Sequence, residues 1–234
     1  NVKNIWKFSC KSYVSDVLVA EAELSAILSE NIWFETNWNY LLLVNLLKSI
    51  YFYNMIDNSS IVHPDAKIGK NVSIGPFCVI GKNVTIQSNS KIYSNVFIDG
   101  YTFIDENAEI FPFSSIGTKP QDLKFDGELS YIKIGKNLKI REYVTINPGT
   151  RGGGGLTFID DNCLLMVGTH IAHDCKVGKN VIFANNATLA GHVEVQDNAV
   201  IGGLSAIHQF VRIGEGAMVG GMSGVTADVI PFGS

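Results

Sequence analysis

Long hydrophobic runs and basic charge are scarce in this sequence of 234 residues, and each shortage excludes a class of protein. The most apolar run, residues 40–53, contains Asn45 and Lys48 and is shorter than the roughly 20 residues that a membrane-spanning helix needs. A net charge of -4 argues against nucleic-acid binding, because phosphate affinity needs clustered Lys and Arg. We therefore expect no transmembrane segment, no cleavable signal and no nucleic-acid partner.

Cysteine is also rare, and its spacing excludes two further kinds of site. The four cysteines form no CxxC pair and no other paired spacing: Cys10, Cys78, Cys163 and Cys175. Spacing of that kind is typical of reduced core thiols and not of a disulfide framework or a zinc site. We interpret the chain as a cytoplasmic protein.

A period of six residues is what the sequence has in abundance. Counting in sixes from Ile159 to Val225 gives an apolar residue at every step, and the residue two places earlier is always small or β-branched. Helices repeat near 3.6 residues and ordinary strands near 2, so neither explains this period. The period is typical of the hexapeptide repeat of a parallel β-helix, an all-β solenoid.

The same period runs from Val62 to Ile116 and is interrupted twice afterwards. With three flat faces per turn, one coil takes 18 residues, as three hexapeptides. Between Ile116 and Ile134 the inward positions would fall on Asp122 and Glu128, which a dry core does not accept unpaired. We therefore predict one loop at 118–130 and a second, glycine-rich loop at 148–155.

Residues 1–54 do not follow the repeat. Ile5–Phe8 and Tyr13–Leu28 are predicted to be two β-type segments around a polar turn at Ser15 and Asp16. This pattern resembles the last two strands of a 3-hydroxyacyl-[acyl carrier protein] dehydratase. The dehydratase's catalytic residues precede those strands, so the resemblance implies no dehydratase activity here.

Three segments follow from this pattern: a dehydratase-like remnant at 1–30, a linker or read-through segment at 31–54, and the β-helix at 55–234. Our hypothesis is that Met55 starts a second protein and that the chain is a read-through of two adjacent genes. The alternative is a genuine N-terminal element that docks on the solenoid.

Several histidines are predicted to lie close together, as counting in steps of 18 residues, one coil each, from His173 shows. One coil later lies Gly191, beside His192, and two coils later lies Gln209, beside His208; His170 precedes His173 by three residues. Such a cluster favours either a general base or a metal site. The metal alternative resembles the γ-class carbonic anhydrases, but the sequence has no His-x4-His pair. We expect a general base, without a metal or cofactor.

Five short motifs occur around these histidines and on the first predicted loop: His170-Ile171-Ala172-His173-Asp174-Cys175, Asn185 to His192, Ile207-His208-Gln209-Phe210, Gln121-Asp122-Leu123-Lys124 and Val219-Gly220-Gly221. Together they resemble one family, the acyl-[acyl carrier protein]:UDP-N-acetylglucosamine O-acyltransferases of lipid A synthesis. The resemblance covers Met55 to about Phe232. It implies a left-handed β-helix, a homotrimer with active sites between subunits, and acyl carrier protein and UDP-N-acetylglucosamine as substrates.

The resemblance also implies residue roles. His173 would be the general base, Asp174 its orienting partner, and the Gly191 amide the oxyanion donor. Gly221 would set the acyl-chain length. The sugar nucleotide or acyl chain would be held by Gln121, Asp122, Lys124, His170, His192, His208 and Gln209.

The sequence departs from the family after Phe232, where the family continues into further coils and a helical domain. We therefore expect a truncated scaffold of uncertain activity. Two alternatives stay open: an inactive solenoid remnant, and the related N-acyltransferase of the same pathway. A basic patch is expected either to dock the acidic carrier protein or to be a solvated face, and consists of Arg141, Arg151, Lys176, Lys179 and Arg212.

Overall fold

The computed structural model describes the backbone of residues 5–14 and 17–27 and the chain from residue 55 to residue 234. The chain divides into two compact units, Asn1–Tyr51 and Phe52–Ser234. In the first unit, β1 (Ile5–Val14) and β2 (Val17–Ile27) form an antiparallel pair whose register shifts between Ser12 and Tyr13.

Two strands around Ser15 and Asp16 are therefore confirmed, although their bounds differ from those predicted. The first strand extends beyond Phe8 to Val14, and the second begins at Val17 and not at Tyr13. The linker predicted at 31–54 and the apolar run at 40–53 lie outside the described residues. Among the described residues, no helix is long and apolar enough to cross a membrane.

The second unit is a left-handed parallel β-helix with three sheets; the period of six predicts the β-helix, and the family resemblance implies its hand. Sheet I contains β3 (Met55–Ile56), β6 (Ser73–Ile74), β9 (Lys91–Ile92), β12 (Glu109–Ile110), β15 (Lys139–Ile140), β18 (Leu164–Leu165), β21 (Ile182–Phe183), β24 (Val200–Ile201) and β27 (Met218–Val219). Sheet II contains β4 (Ile61–Val62), β7 (Val79–Ile80), β10 (Phe97–Ile98), β13 (Ser115–Ile116), β16 (Thr145–Ile146), β19 (His170–Ile171), β22 (Thr188–Leu189), β25 (Ala206–Ile207) and β28 (Gly224–Val225). Sheet III contains β5 (Lys67–Ile68), β8 (Thr85–Ile86), β11 (Tyr101–Ile104), β14 (Tyr131–Ile134), β17 (Leu156–Ile159), β20 (Lys176–Val177), β23 (Glu194–Val195) and β26 (Arg212–Ile213).

The core is the stack of apolar residues that the period of six predicts. The second residue of nearly every strand points inward, and from Ile74 to Val219 these side chains are buried. The small residue two places earlier is buried as well, as at Cys78, Ala108 and Ala187. Parallel ladders join successive coils, so each aliphatic side chain packs on its equivalents above and below.

One edge of the solenoid carries a column of asparagines at equivalent corners. Their φ angles lie between 57° and 64°, in the left-handed region that asparagine tolerates better than most residues: Asn71, Asn89, Asn107, Asn137, Asn162, Asn180 and Asn198. Side-chain amides bond from one coil to the next, as between Asn71 and Asn89 at 3.0 Å and between Asn107 and Asn137 at 3.0 Å. This asparagine column adds side-chain bonds to the backbone ladders that join the coils.

Both predicted loops are present. The first connects β13 to β14, and the second connects β16 to β17 and contains a short 3-10 helix at Arg151–Gly153. The free thiols of Cys78, Cys163 and Cys175 are buried, and burial raises the pKa of Cys163 and of Cys175 to about 12. These three cysteines are therefore core residues with little thiolate character.

Candidate active site

The candidate site lies at the corner between sheets II and III. His173 follows β19, and Gly191 occupies the same corner one coil later, after β22. The backbone N–H of His192 donates to the carbonyl of His173 at 3.0 Å, which fixes the two coils in register. The 18-residue spacing thus places His173 beside Gly191.

His173 and Asp174 form a hydrogen-bonded pair. Asp174 has a φ of 60°, and its side chain turns back so that Oδ2 lies 2.9 Å from Nδ1 of His173. The Asp174 side chain is only 1% exposed and that of His173 12% exposed. A carboxylate that accepts from Nδ1–H keeps the proton there, so Nε2 is left as the basic atom.

The second loop surrounds the carboxylate of Asp174. The Thr150 backbone N–H lies 3.0 Å from both Oδ1 and Oδ2, and the Thr150 hydroxyl donates to Oδ2 at 2.7 Å. Gly149 and Gly153 pack so closely that a Cβ on either would lie within 3 Å of the carboxylate. Sequence reasoning missed Thr150, because the path of a non-repeating loop cannot be read from the period of six.

Gly191 leaves room for the basic nitrogen of His173. A Cβ at residue 191 would lie 2.6 Å from Nε2 and 2.5 Å from Cε1 of His173. Within the described part of the chain, the Gly191 N–H has no hydrogen-bond partner, although the residue is buried. A free donor beside the basic atom can stabilise an oxyanion that forms there.

His192 lies between two other rings. Its ring meets that of His173 edge to face, with centroids 5.0 Å apart, and stacks on Phe210 at 4.4 Å with an angle of 6°. Burial is the main cause that lowers the pKa of His192, against the opposing effect of the Asp174 carboxylate. His192 therefore stays neutral at neutral pH. Phe210 was missed, although it follows His192 by 18 residues.

His170 lies on the outer face of sheet II, in strand β19, which leads directly into the corner that holds His173. Its Nδ1 is 2.7 Å from the hydroxyl of Thr145, its partner in the neighbouring strand β16. Burial lowers the pKa of His170, and the nearby His173 lowers it further. Thr145 was also missed, because the second loop makes their separation 25 residues and not 18.

The remaining predicted residues lie on the first loop and at two corners of the solenoid. Asp122 caps the turn that contains Lys124, whose N–H it accepts at 2.9 Å. Gln121 and Lys124 are exposed on the first loop. His208 and Gln209 are exposed at the same corner as His173, two coils on, and the exposed Gly221 follows β27 at the corner between sheets I and II.

A metal site is the other chemistry that the cluster allows. Ligand atoms of His173, Asp174 and His192 lie within 4.8 Å of one another. The Asp174 carboxylate, however, already accepts from Thr150 and faces Nδ1 of His173, on the ring edge opposite Nε2. This donor set fits an oriented base better than three ligands that converge on one ion.

Four residues of the predicted basic patch pair with acids. Arg141 contacts Glu142 at 2.9 Å, Arg151 contacts Asp126 at 3.5 Å, Lys176 contacts Glu194 at 2.9 Å, and Arg212 contacts Asp228 at 2.6 Å. Local pairing of this kind favours a solvated face over an open cationic docking surface.

Known proteins resemble this chain in sequence and in fold. The family described as bacterial transferase hexapeptide (six repeats) matches residues 53–82, 65–100 and 157–191. An acyl-[acyl-carrier-protein]–UDP-N-acetylglucosamine O-acyltransferase of Thermodesulfovibrio yellowstonii is 54% identical over 179 residues, which are 76% of this chain and 69% of the relative. The protein of that name from Paracoccus denitrificans is 53% identical over 124 residues.

The Paracoccus match covers 53% of this chain, which spans about half (48%) of that relative's length. A crystal structure of a UDP-N-acetylglucosamine acyltransferase superposes with a TM-score of 0.75 and 51% identity, over 76% of this chain and 68% of that one. Sequence and fold thus agree on one assignment. The chain belongs to the family of acyl-[acyl-carrier-protein]–UDP-N-acetylglucosamine O-acyltransferases.

Proposed function

We propose that this chain transfers a (R)-3-hydroxyacyl group from acyl carrier protein to the 3-hydroxyl of UDP-N-acetylglucosamine, the first step of lipid A biosynthesis. The single observation that carries the proposal is the close approach of the His173 Nε2 edge to the backbone of Gly191, whose N–H is unpaired among the described residues, in a chain of this family. A base and an oxyanion donor side by side are what acyl transfer to a hydroxyl needs.

The reaction begins with proton transfer to Nε2 of His173 from the sugar hydroxyl. The hydroxyl oxygen then attacks the thioester carbonyl, and a C–O bond forms. The negative charge on the tetrahedral carbonyl oxygen is stabilised by the Gly191 N–H. Collapse breaks the C–S bond, and the thiolate of the carrier takes the proton from the imidazolium. Asp174 holds the ring and stabilises its charge throughout.

Substrate binding is assigned to residues around this centre. Lys124 and Asp122 on the first loop offer a cation and an acceptor to the sugar nucleotide, together with Gln121. His170 and His192, both kept neutral by burial, can donate or accept hydrogen bonds beside the reacting atoms. His208 and Gln209 extend the site along the corner, and Gly221 sets the length of the acyl chain that the site accepts.

The proposal includes the assembly and the cell compartment. We place the enzyme in the cytoplasm, where its carrier-bound substrate occurs, as a homotrimer that needs no cofactor. Exposed aromatic side chains on the corner between sheets I and II are consistent with burial against another copy: Phe77, Phe113 and Tyr143. Light scattering of the purified chain tests the trimer.

The activity is tested with purified protein, (R)-3-hydroxyacyl carrier protein and labelled UDP-N-acetylglucosamine. The expected product is the 3-O-acylated sugar nucleotide, formed only by protein with an intact His173. Transfer to an amino sugar and not to UDP-N-acetylglucosamine would instead favour the N-acyltransferase. Absence of transfer to either, from a folded protein, would favour an inactive remnant.

A further inference from the structure

Thr150 is a second residue, besides His173, that contacts the carboxylate of Asp174. It is 5% exposed and lies in the second loop, outside the repeat that builds the solenoid. Its N–H and its hydroxyl both donate to the carboxylate, with the hydroxyl contact at 2.7 Å. Asp174 Oδ2 therefore lies between the Thr150 hydroxyl and His173 Nδ1.

Two further contacts leave Asp174 little freedom. Its backbone N–H donates to the hydroxyl of Thr157 at 2.9 Å, and Gly149 and Gly153 close around the carboxylate. Rotation of the side chain about its χ angles would separate Oδ2 from the Thr150 hydroxyl. Because both hydrogen bonds converge on one oxygen, the position of the hydroxyl determines where the imidazole finds its acceptor.

We propose that Thr150 is a positioning residue for the His173–Asp174 pair, and that its hydroxyl selects the tautomer with Nδ1 protonated and Nε2 free. Thr150 is almost fully buried, and its hydroxyl donates to Asp174, so we expect it to act on the chemical step and not on binding. This inference rests on the proposed acyl transfer for its effect on rate, but the tautomer that it specifies is a property of the protein alone.

A structural role would give a different result. If Thr150 only stabilised the loop, its replacement would lower the melting temperature and raise KM through the first loop, which contacts the second at Arg151. If Thr150 orients the carboxylate, kcat falls while both KM values hold. Replacement of the hydroxyl by a methyl of the same shape separates the two roles, because the backbone N–H contact is kept.

The experiment compares Thr150→Val and Thr150→Ser with wild type. We expect Thr150→Val to lower kcat by about 10- to 100-fold, which is the effect of removing the group that orients a metal-bound histidine or carboxylate. KM for both substrates should stay within about twofold, and Thr150→Ser should recover most of the rate. The control is Thr85→Val, on sheet III in β8 and remote from the site, which should match wild type.

Nuclear magnetic resonance of protein labelled with ¹⁵N-histidine gives a readout that needs no activity. His173→Ala identifies the His173 signals, which should show one tautomer in wild type and Thr150→Ser and a mixture in Thr150→Val. The proposal is overturned if Thr150→Val changes neither the tautomer nor kcat. It is also overturned if Thr150→Val raises KM and leaves kcat unchanged. If Thr150→Val does not fold, Thr150→Ala takes its place.

The two proposals fail in different ways. If wild type shows no transfer but the tautomer changes in Thr150→Val, the positioning role stands and the reaction is wrong. If transfer occurs but neither kcat nor the tautomer responds to Thr150→Val, the reaction stands and the positioning role is wrong.

Discussion

The carboxylate of Glu128 accepts a hydrogen bond of 2.9 Å from the backbone N–H of Arg151, which joins the two loops that leave the coil. The backbone adds a second link, in which the Tyr131 N–H donates to the Gly155 carbonyl at 2.8 Å. The first loop carries Asp122 and Lys124, and the second holds Asp174. The proposed substrate contacts and the orienting carboxylate are therefore attached to each other.

Acid should open this link. The Arg151 N–H is the main cause that lowers the pKa of Glu128 from 4.5 to about 2. Because this pKa is lower in the folded state, the stabilisation is present above about pH 4.5 and is lost as the pH falls toward 2. We expect pepsin to cleave the first loop, near the exposed Leu123, faster at pH 2 than at pH 4, relative to a peptide standard.

The control for the loop is Glu128→Gln, which keeps an acceptor but does not titrate. Its cleavage relative to the standard should be nearly independent of pH over the same range. A wild-type protein with the same flat profile would show that Glu128 does not control the loop.

Removal of the base should stop the chemistry without unfolding the protein. We expect His173→Ala to lower kcat by about 10² to 10⁴, the usual contribution of a positioned general base. The ring lies on the outer side of a corner and not in the aliphatic core, so the melting temperature should change little. Steady-state kinetics and thermal unfolding measure both quantities. Near-normal turnover of the folded variant would exclude His173 as the base.

Gly191→Ala tests the close approach of the backbone to the base. The new Cβ would lie 2.5 Å from Cε1 of His173, so the ring must move away from its position. We expect kcat to fall at least tenfold with the fold kept, since residue 191 has no positive φ.

A matched change in the same coil is Gly203→Ala, whose Cβ would lie 3.1 Å from a backbone carbonyl and away from His173. It should retain far more activity than Gly191→Ala. Equal losses would indicate a general packing effect and not displacement of the imidazole.

Gly221→Met tests the proposed limit on acyl length. A Cβ there would lie 3.4 Å from the Gly203 carbonyl oxygen, an ordinary contact, so the backbone accepts a side chain. The methionine side chain should occupy the space proposed for the end of the acyl chain. The ratio of kcat/KM for shorter acyl groups to that for longer ones should then rise by tenfold or more. A series of (R)-3-hydroxyacyl carrier proteins measures the preference. Gly224→Met, which meets nothing within 4 Å, should leave it unchanged.

The partly buried His170 should make stability depend on pH near neutrality. Burial lowers the pKa of His170 from 6.5, so the unfolded chain binds more protons than the folded one between the two values. Stability should therefore rise with pH through this interval and level off above about 6.5. We expect the melting temperature of His170→Gln, which can still form a hydrogen bond with Thr145, to drop less between pH 7.5 and pH 5.5 than that of wild type. An identical drop would exclude His170 as the source.

The scaffold could be predicted from the sequence because one rule repeats at every coil. Ile74, Ile110 and Leu165 point inward because each is a sixth residue, and acids at Asp122 and Glu128 mark the segment that had to leave the core. The proximity of His173 and Gly191 follows from the same count. Handedness does not, because the period is the same for either hand; it came from the resemblance.

Contacts made by the loops could not be predicted in this way. Thr150 precedes Asp174 by 24 residues, a separation that includes the inserted segment and has no fixed meaning in the repeat. The bond between Thr145 and His170 was hidden for the same reason. Phe210 differs, because its spacing of 18 from His192 was visible, and a search for aromatic residues one coil apart would have found it.

In the asparagine column, the distance between successive asparagines does not depend on how many residues lie between them. Asn71 and Asn89 are 18 residues apart and Asn107 and Asn137 are 30 apart, yet both amide pairs bond at 3.0 Å. An insertion between two such asparagines, at the corner between sheets II and III, changes what projects from the solenoid there and leaves the amide bonds of the asparagine column in place. The solenoid can therefore carry segments as different as 118–130 and 148–155, with the residues of the candidate site on them, without a change in its interior.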